Sequence, residues 1–170
     1  LKSLKTPTEG PAGAGALPRA VFRFRPTQSD YIKEGTPLTT LCTLASGSSG
    51  NATLVSAGGT HILIDAGISV RRINTALKAL DLSIADLSAL LITHSHNDHV
   101  SALTTLLKHY ALPIYASDGT AFDLRNRFAG IAPLLRPFAS GDSFCVGAFH
   151  ISSFSTSHDA GDSVCYRLMA

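Results

Sequence analysis

Glutamate is almost missing from this chain. Glu9 and Glu34 are the only two, and from residue 39 onward every carboxylate is an aspartate. Any carboxylate chemistry in that part therefore falls to Asp. Tryptophan is absent and no RNP-like aromatic set is present, so no stacking platform for nucleic-acid bases is visible. Three cysteines, Cys42, Cys145 and Cys165, are too few and too scattered for a disulfide framework. With no signal peptide visible, the odd count reads as reduced thiols and hence as a cytoplasmic protein. No stretch of the chain approaches the roughly 20 apolar residues of a membrane-spanning helix.

What is present suffices for one packed domain. The chain has 170 residues, 45% hydrophobic and 15% charged, which excludes disorder throughout. The net charge of +2 hides a division. Residues 1–38 carry six Lys/Arg against three Asp/Glu, and the remainder carries eight against nine. The basic excess lies in the leading segment, so the overall charge is no argument for nucleic-acid binding by the rest. The run TPTEGPAGAGALP cannot build a core, and residues 1–38 read as a poorly ordered basic leader. Arg23-Phe24-Arg25 is its one candidate phosphate contact. Residues 39–170 read as the folded domain.

Apolar spacing gives the elements of that domain. Leu41–Leu44 and Leu54-Val55 are short strands, and Gly58-Gly59 is a hairpin turn. His61–Ile64 is a buried strand that ends in Asp65. Ser69 can cap a helix whose Val70, Ile73, Leu77 and Leu80 share one face. Ala89–Ile92 is a second buried strand. It leads into a helix with Val100, Leu103, Leu107 and Tyr110 on its apolar face. A strand starting at Ile114-Tyr115, a helix over about 118–128 and a run of strands ending with Val164–Met169 complete the pattern. The order is a layered α/β protein with a mixed sheet.

The densest chemistry is Thr93-His94-Ser95-His96-Asn97-Asp98-His99, at the junction of a buried strand and a helix. In extended backbone, side chains two apart point the same way, so His94 and His96 can face one point. Asp98 and His99 are aimed to one side, where they can serve a neighbouring ion. Imidazole with carboxylate suits zinc, with manganese and iron as alternatives. A solvated His-rich loop is the bland alternative, and it fits poorly directly after an apolar strand. Ser157-His158-Asp159 follows a later strand. His158 would complete a three-imidazole site with a position open for water. Asp65 reads either as a turn aspartate or as an acceptor that orients a ligand imidazole. His61, His109 and His150 lack such neighbours and read as ordinary surface histidines.

These residues resemble a known family. HSHNDH matches the HxHxDH signature of the metallo-β-lactamase superfamily, and ILIDAG resembles its first motif. LASGSSGNATLV, LLITHSHNDHVSAL, LPIYAS and FSTSHDA together resemble its YycJ-like (WalJ-like) branch, over about residues 41–170. The resemblance implies a four-layer αββα sandwich with two divalent metal ions. By position, His94, His96 and His158 would hold the first ion and Asp98 and His99 the second. An activated hydroxide would be the nucleophile, with Asp98 orienting it. The same resemblance implies phosphodiester hydrolysis of the DNA exonuclease kind, with DNA or another phosphodiester as partner. Ser46, Ser48, Ser49 and Asn51 would then line the substrate mouth, unless they only form a tight turn.

The sequence departs from the pattern twice. Ala102-Leu103 stands where the family has Gly-Leu. The bridging Asp and last His of the family find no counterpart before Ala170, so the domain is expected to be truncated at its C-terminus and to hold one ion better than two. Two other readings compete. One is a thioester or lactone hydrolase of the same superfamily, and the other is a non-catalytic metal-binding remnant.

Overall fold

The computed structural model describes residues 20–23 and 38–170. Two sheets face one another. The larger has seven strands in chain order: β1 (Ala20–Arg23), β2 (Thr40–Ala45), β3 (Ala52–Ala57), β4 (Thr60–Ile64), β5 (Ala89–Leu91), β6 (Ile114–Ser117) and β7 (Leu135–Phe138). β1 to β4 run as an antiparallel meander, and β4 to β7 are parallel. Parallel neighbours need crossovers. These are supplied by α1 (Val70–Lys78), by α2 (Asn97–Val100) with α3 (Leu103–His109), and by α4 (Asp118–Arg127). The smaller sheet is β8 (Ser143–Val146), β9 (Phe149–Ser155) and β10 (Val164–Met169), all antiparallel, with β9 central.

Alternation along the strands sorts the core into two halves. Leu54, Leu63, Leu90 and Ile92 pack with Ile73 and Leu77 of α1, Leu103 and Leu106 of α3, and Leu124 of α4. Val55, Ile62 and Leu91 point the other way and meet Val146, Phe149 and Ile151 of the small sheet. The large sheet is thus covered by helices on one face and by a second sheet on the other. Among the described residues this makes three layers, α, β and β, of the expected αββα sandwich. None of their helices is long and apolar enough to cross a membrane.

Local chemistry explains the element ends. Gly58 and Gly59 take φ of +52° and +75°, the pair of positive values a two-residue hairpin of the primed type requires. Ser69 Oγ accepts from Arg72 N and caps α1 as its residue type suggests. The single helix expected after HSHNDH is in fact two, α2 and α3. The reason is visible in the backbone. Asp98 O accepts from Asn51 N at 2.7 Å, and Ala102 N donates to Ala66 O at 2.9 Å, in place of the intrahelical bond between them. β1 falls inside the segment read as a leader and pairs with β2 in antiparallel register. The rest of 1–37, including Phe24 and Arg25, lies outside the described residues.

Candidate metal centre

The carboxyl ends of parallel strands are where an α/β protein presents its chemistry, and the residues flagged by the sequence gather there. Asp65 follows β4 with φ of +60°. Thr93 and His94 follow β5, and Ser117 ends β6. Three segments are stitched together by main-chain bonds: Asn51 N to Asp98 O, Ala66 N to His99 O (2.7 Å) and Gly67 N to Asn51 O (2.8 Å). Gly67 is required here, because a Cβ would stand 1.6 Å from Asp98 O. The glycine of ILIDAG is therefore what lets the strand end approach the helix that carries Asp98 and His99.

His94, His96 and His158 form the first cluster. Each offers a nitrogen, and these three lie within 4.8 Å of one another. The His158 ring sits 4.4 Å from the His94 ring and 5.0 Å from the His96 ring, centroid to centroid. His94 is buried, His96 is half-buried and His158 is exposed. Burial, with the neighbouring imidazoles of His99 and His158, pushes the His94 pKa down to about 4. His94 is therefore neutral at pH 7, the form in which imidazole ligates a metal. Asp159 Oδ1 lies 2.7 Å from His158 Nδ1 and 3.8 Å from His96 Nε2, so a carboxylate stands at the mouth of the cluster.

Asp98 and His99 form a second group beside the first. The His94 and His99 rings are 3.9 Å apart, and Asp98 Oδ2 is 3.4 Å from His99 Nε2. His99 Nδ1 donates to Asp65 Oδ2 at 2.8 Å. Burial lowers the His99 pKa, but this bond and the charges of Asp65 and Asp98 outweigh it and leave the pKa raised. Asp65 is itself buried and also accepts from Thr93 N and Thr93 Oγ1. Ser46, Ser48 and Ser49 lie exposed on the β2–β3 loop, whereas Asn51 is half-buried. Asn51 does not face outward; its Nδ2 lies 3.1 Å from both Asp98 Oδ2 and His99 Nε2. His61 stands apart from both groups and is bonded to Ser56 Oγ at 2.8 Å.

Several supports carry no signal in the sequence. Ser95 Oγ donates to Asp123 Oδ2 at 2.8 Å. Arg127 donates to Ser95 O at 2.8 Å and also to Asn97 Oδ1. α4 thus grips the HSHN segment from outside. The loop bearing His158 is closed by Thr156 N to Ser163 O, 2.9 Å, and joined to β5's exit by Val164 N to Thr93 O, 3.0 Å. Asp162 Oδ2 accepts from Gly119 N and so ties that loop to the first turn of α4. Tyr166 reaches across from the small sheet and donates to Ile92 O at 2.7 Å. Burial raises its phenol pKa well above the usual value.

The likeness to known proteins agrees with this geometry. A sequence profile of the Metallo-beta-lactamase superfamily matches residues 45–150. The Exodeoxyribonuclease YycJ of Bacillus anthracis is 36% identical over 125 residues, 72% of this chain and 47% of that protein. The Exodeoxyribonuclease WalJ of Streptococcus pneumoniae serotype 2 is 35% identical over 129 residues, 74% of this chain and 48% of that protein. This chain spans about half the length of these relatives. Among solved structures, the metallo-beta-lactamase SMB-1 superposes with a TM-score of 0.62 and 21% identity, covering 75% of this chain and 54% of that one. That likeness speaks to the fold. The profile ends before His158, so the third imidazole of the cluster is a fact of the structure and not of the profile. With sequence, topology and the HxHxDH bend in agreement, the chain belongs to the metallo-beta-lactamase superfamily.

Proposed function

We propose that this chain contributes the metal-binding part of a hydrolase that cleaves phosphodiester bonds in DNA. The observation that carries the reading is the convergence of three imidazole nitrogens, one of them on a segment 62 residues downstream of the nearer of its partners, to within 4.8 Å. That spacing suits one tetrahedrally coordinated zinc with a position left open. Manganese and iron suit the same donor set less selectively. Asp98 and His99 suit a second divalent ion. The nuclease preference is supported by the names of the relatives in Bacillus anthracis and Streptococcus pneumoniae.

When bound, such ions would supply Lewis-acid polarisation and lower the pKa of water to about 7. The protein's own residues supply the rest. His94, His96 and His158 would hold the cation, each through one imidazole nitrogen. Asp98 accepts a hydrogen bond from the attacking water and fixes its orientation. Asp65 keeps a proton on His99 Nδ1, so that the ring's ligating lone pair is on Nε2. Ser46, Ser48 and Ser49, exposed beside Asn51, offer neutral hydroxyl donors to a substrate phosphate.

The test is elemental analysis of the purified chain, joined to digestion of end-labelled single- and double-stranded DNA before and after chelation. Metal should be present, cleavage should fall on chelation and return with zinc or manganese, and His94→Ala and His158→Ala should each lower the metal content. Undiminished cleavage of DNA after exhaustive chelation defeats the proposal.

A further inference from the structure

Four acceptors converge on one amide nitrogen at the second group. Asn51 Nδ2 lies 3.1 Å from Asp98 Oδ2 and 3.1 Å from His99 Nε2, with the main-chain oxygens of Gly47 at 3.2 Å and Asp98 at 3.4 Å. A primary amide carries two N–H donors; Gly47 O and Asp98 O already accept from Gly50 N and Asn51 N, so those two donors fall to Asp98 Oδ2 and His99 Nε2. A carboxylate, an imidazole and two carbonyl oxygens crowded about one point form a donor set suited to a divalent cation.

The amide cannot relieve the crowding by turning over. Asn51 Oδ1 accepts from Gly47 N at 3.1 Å, and a flip would set NH₂ against that N–H. The main chain is equally fixed, with Asn51 N donating to Asp98 O and Asn51 O accepting from Gly67 N. The donors of Asn51 are therefore held toward Asp98 and His99 by the turn that carries them.

We infer that Asn51 is a placeholder for the second cation. Its amide keeps Asp98 Oδ2 and His99 Nε2 3.4 Å apart and aimed at one place. A cation entering there must displace N–H donors that point at the same lone pairs. Asn51 thus acts as a positioning residue that sets how much more weakly the second ion binds than the first. Among the described residues no side-chain amide is hydrogen-bonded to His94, His96 or His158, whose partners are Thr93 Oγ1 and Asp159. This inference rests on the metal reading proposed above and narrows it.

Asn51→Asp is the informative change. It retains an oxygen for Gly47 N–H and the size of the side chain, and it replaces the two N–H donors by an anionic oxygen. The metal-stripped full chain is titrated with Zn²⁺ alone, by calorimetry with parallel metal analysis, as wild type, Asn51→Asp and His94→Ala. The first equivalent should bind alike, within about threefold, in wild type and Asn51→Asp, and should be lost in His94→Ala. The second should bind at least about tenfold tighter in Asn51→Asp, or be measurable there alone. A metal-free measurement covers the case in which that variant does not fold. In Asn51→Ala, the ¹⁵N resonance of His99 Nε2 should move while those of His94 and His158 stay. Equal second-equivalent affinity in wild type and Asn51→Asp, or an unmoved His99 resonance in Asn51→Ala, overturns the inference and leaves the metal reading standing. A wild-type chain that binds no first equivalent overturns both.

Discussion

Asp65 Oδ2 and His99 Nδ1 are 2.8 Å apart, and the carboxylate that makes this contact also takes the N–H and the hydroxyl of Thr93. One buried side chain thus joins the end of β4, the exit of β5 and the start of the helix that carries Asp98. Asp65→Ala would leave Thr93 N and the His99 ring without their acceptor. We expect a loss of about 2–4 kcal/mol of folding free energy, read from urea denaturation. Asp65→Asn fills the same volume and, at a φ of +60°, is the substitution best tolerated there. It should cost less stability, while the second equivalent of zinc binds about 10–100-fold more weakly. Unchanged metal affinity in Asp65→Asn would mean that the carboxylate serves the fold alone.

The tether of the His158 loop makes a separate prediction. α4 begins at Asp118 after Ser117, whose side chain makes no cap hydrogen bond to its own helix. The cap comes from 43 residues away, as Asp162 Oδ2 accepts from Gly119 N at 3.1 Å. Asp162→Ala should cost about 1 kcal/mol as a lost N-cap. Its larger effect should fall on the first equivalent of metal, because the His158 loop would lose one of its ties to α4 and keep only those made by its main chain. Gly119→Ala should do the same by another route, since its Cβ would meet the Asp162 side chain at 2.6 Å. Calorimetric titration with Zn²⁺ checks both. First-equivalent affinity equal to wild type in both variants would show that His158 finds its place without the tether.

Those residues also mark how far the chain can be read without coordinates. Elements whose apolar periods are complete are legible, and the strand expected over Val164–Met169 and the helix expected over about 118–128 match β10 and α4 closely. β7 is harder, because Pro137 interrupts it. A proline within a strand points to an edge, and among the described residues β7 is one of the two edge strands of the large sheet. The division between α2 and α3 was illegible, because the competing partners of Asp98 O and Ala102 N are Asn51 and Ala66, distant in sequence. At the site, HSHNDH declares itself by local density. Asp123, Arg127 and Asp162 do not, since an aspartate or arginine on a helix or loop looks the same whether it braces a neighbouring segment or faces water.

Thiol chemistry tests the burial assigned to the two halves of the core. Cys42 is 3% exposed and packs under the helices, and its burial raises the pKa of the thiol. Cys145 and Cys165 stand exposed on the outer face of the small sheet. With a disulfide-exchange reagent at pH 8, two thiols should react quickly in the native chain and the third only after denaturant is added. Mass mapping should place the slow one at Cys42. Rapid labelling of all three under native conditions would show that β2 does not sit beneath the helical layer as described.

Acid stability of the metal-free chain follows from His94. Its pKa is about 4 in the folded protein against 6.5 for the free side chain, so below 6.5 the unfolded chain takes up the proton first. A group depressed in the folded state contributes stability that is complete above its unfolded pKa and is lost as the pH falls. The window runs from pH 6.5 down to about 4, and the difference is worth about 3 kcal/mol. His99 acts with the opposite sign. Its pKa is raised by Asp65 and Asp98 against the pull of burial, so its contribution is present below the unfolded value and fades as the pH rises through the folded one. Urea denaturation in chelator at pH 7.5, 6.5, 5.5 and 4.5 should show unfolding free energy decreasing toward acid. His94→Gln should flatten that slope, and Asp65→Asn should steepen it by removing the support for protonated His99. A His94→Gln profile that falls as steeply as wild type would place the acid sensitivity elsewhere in the molecule.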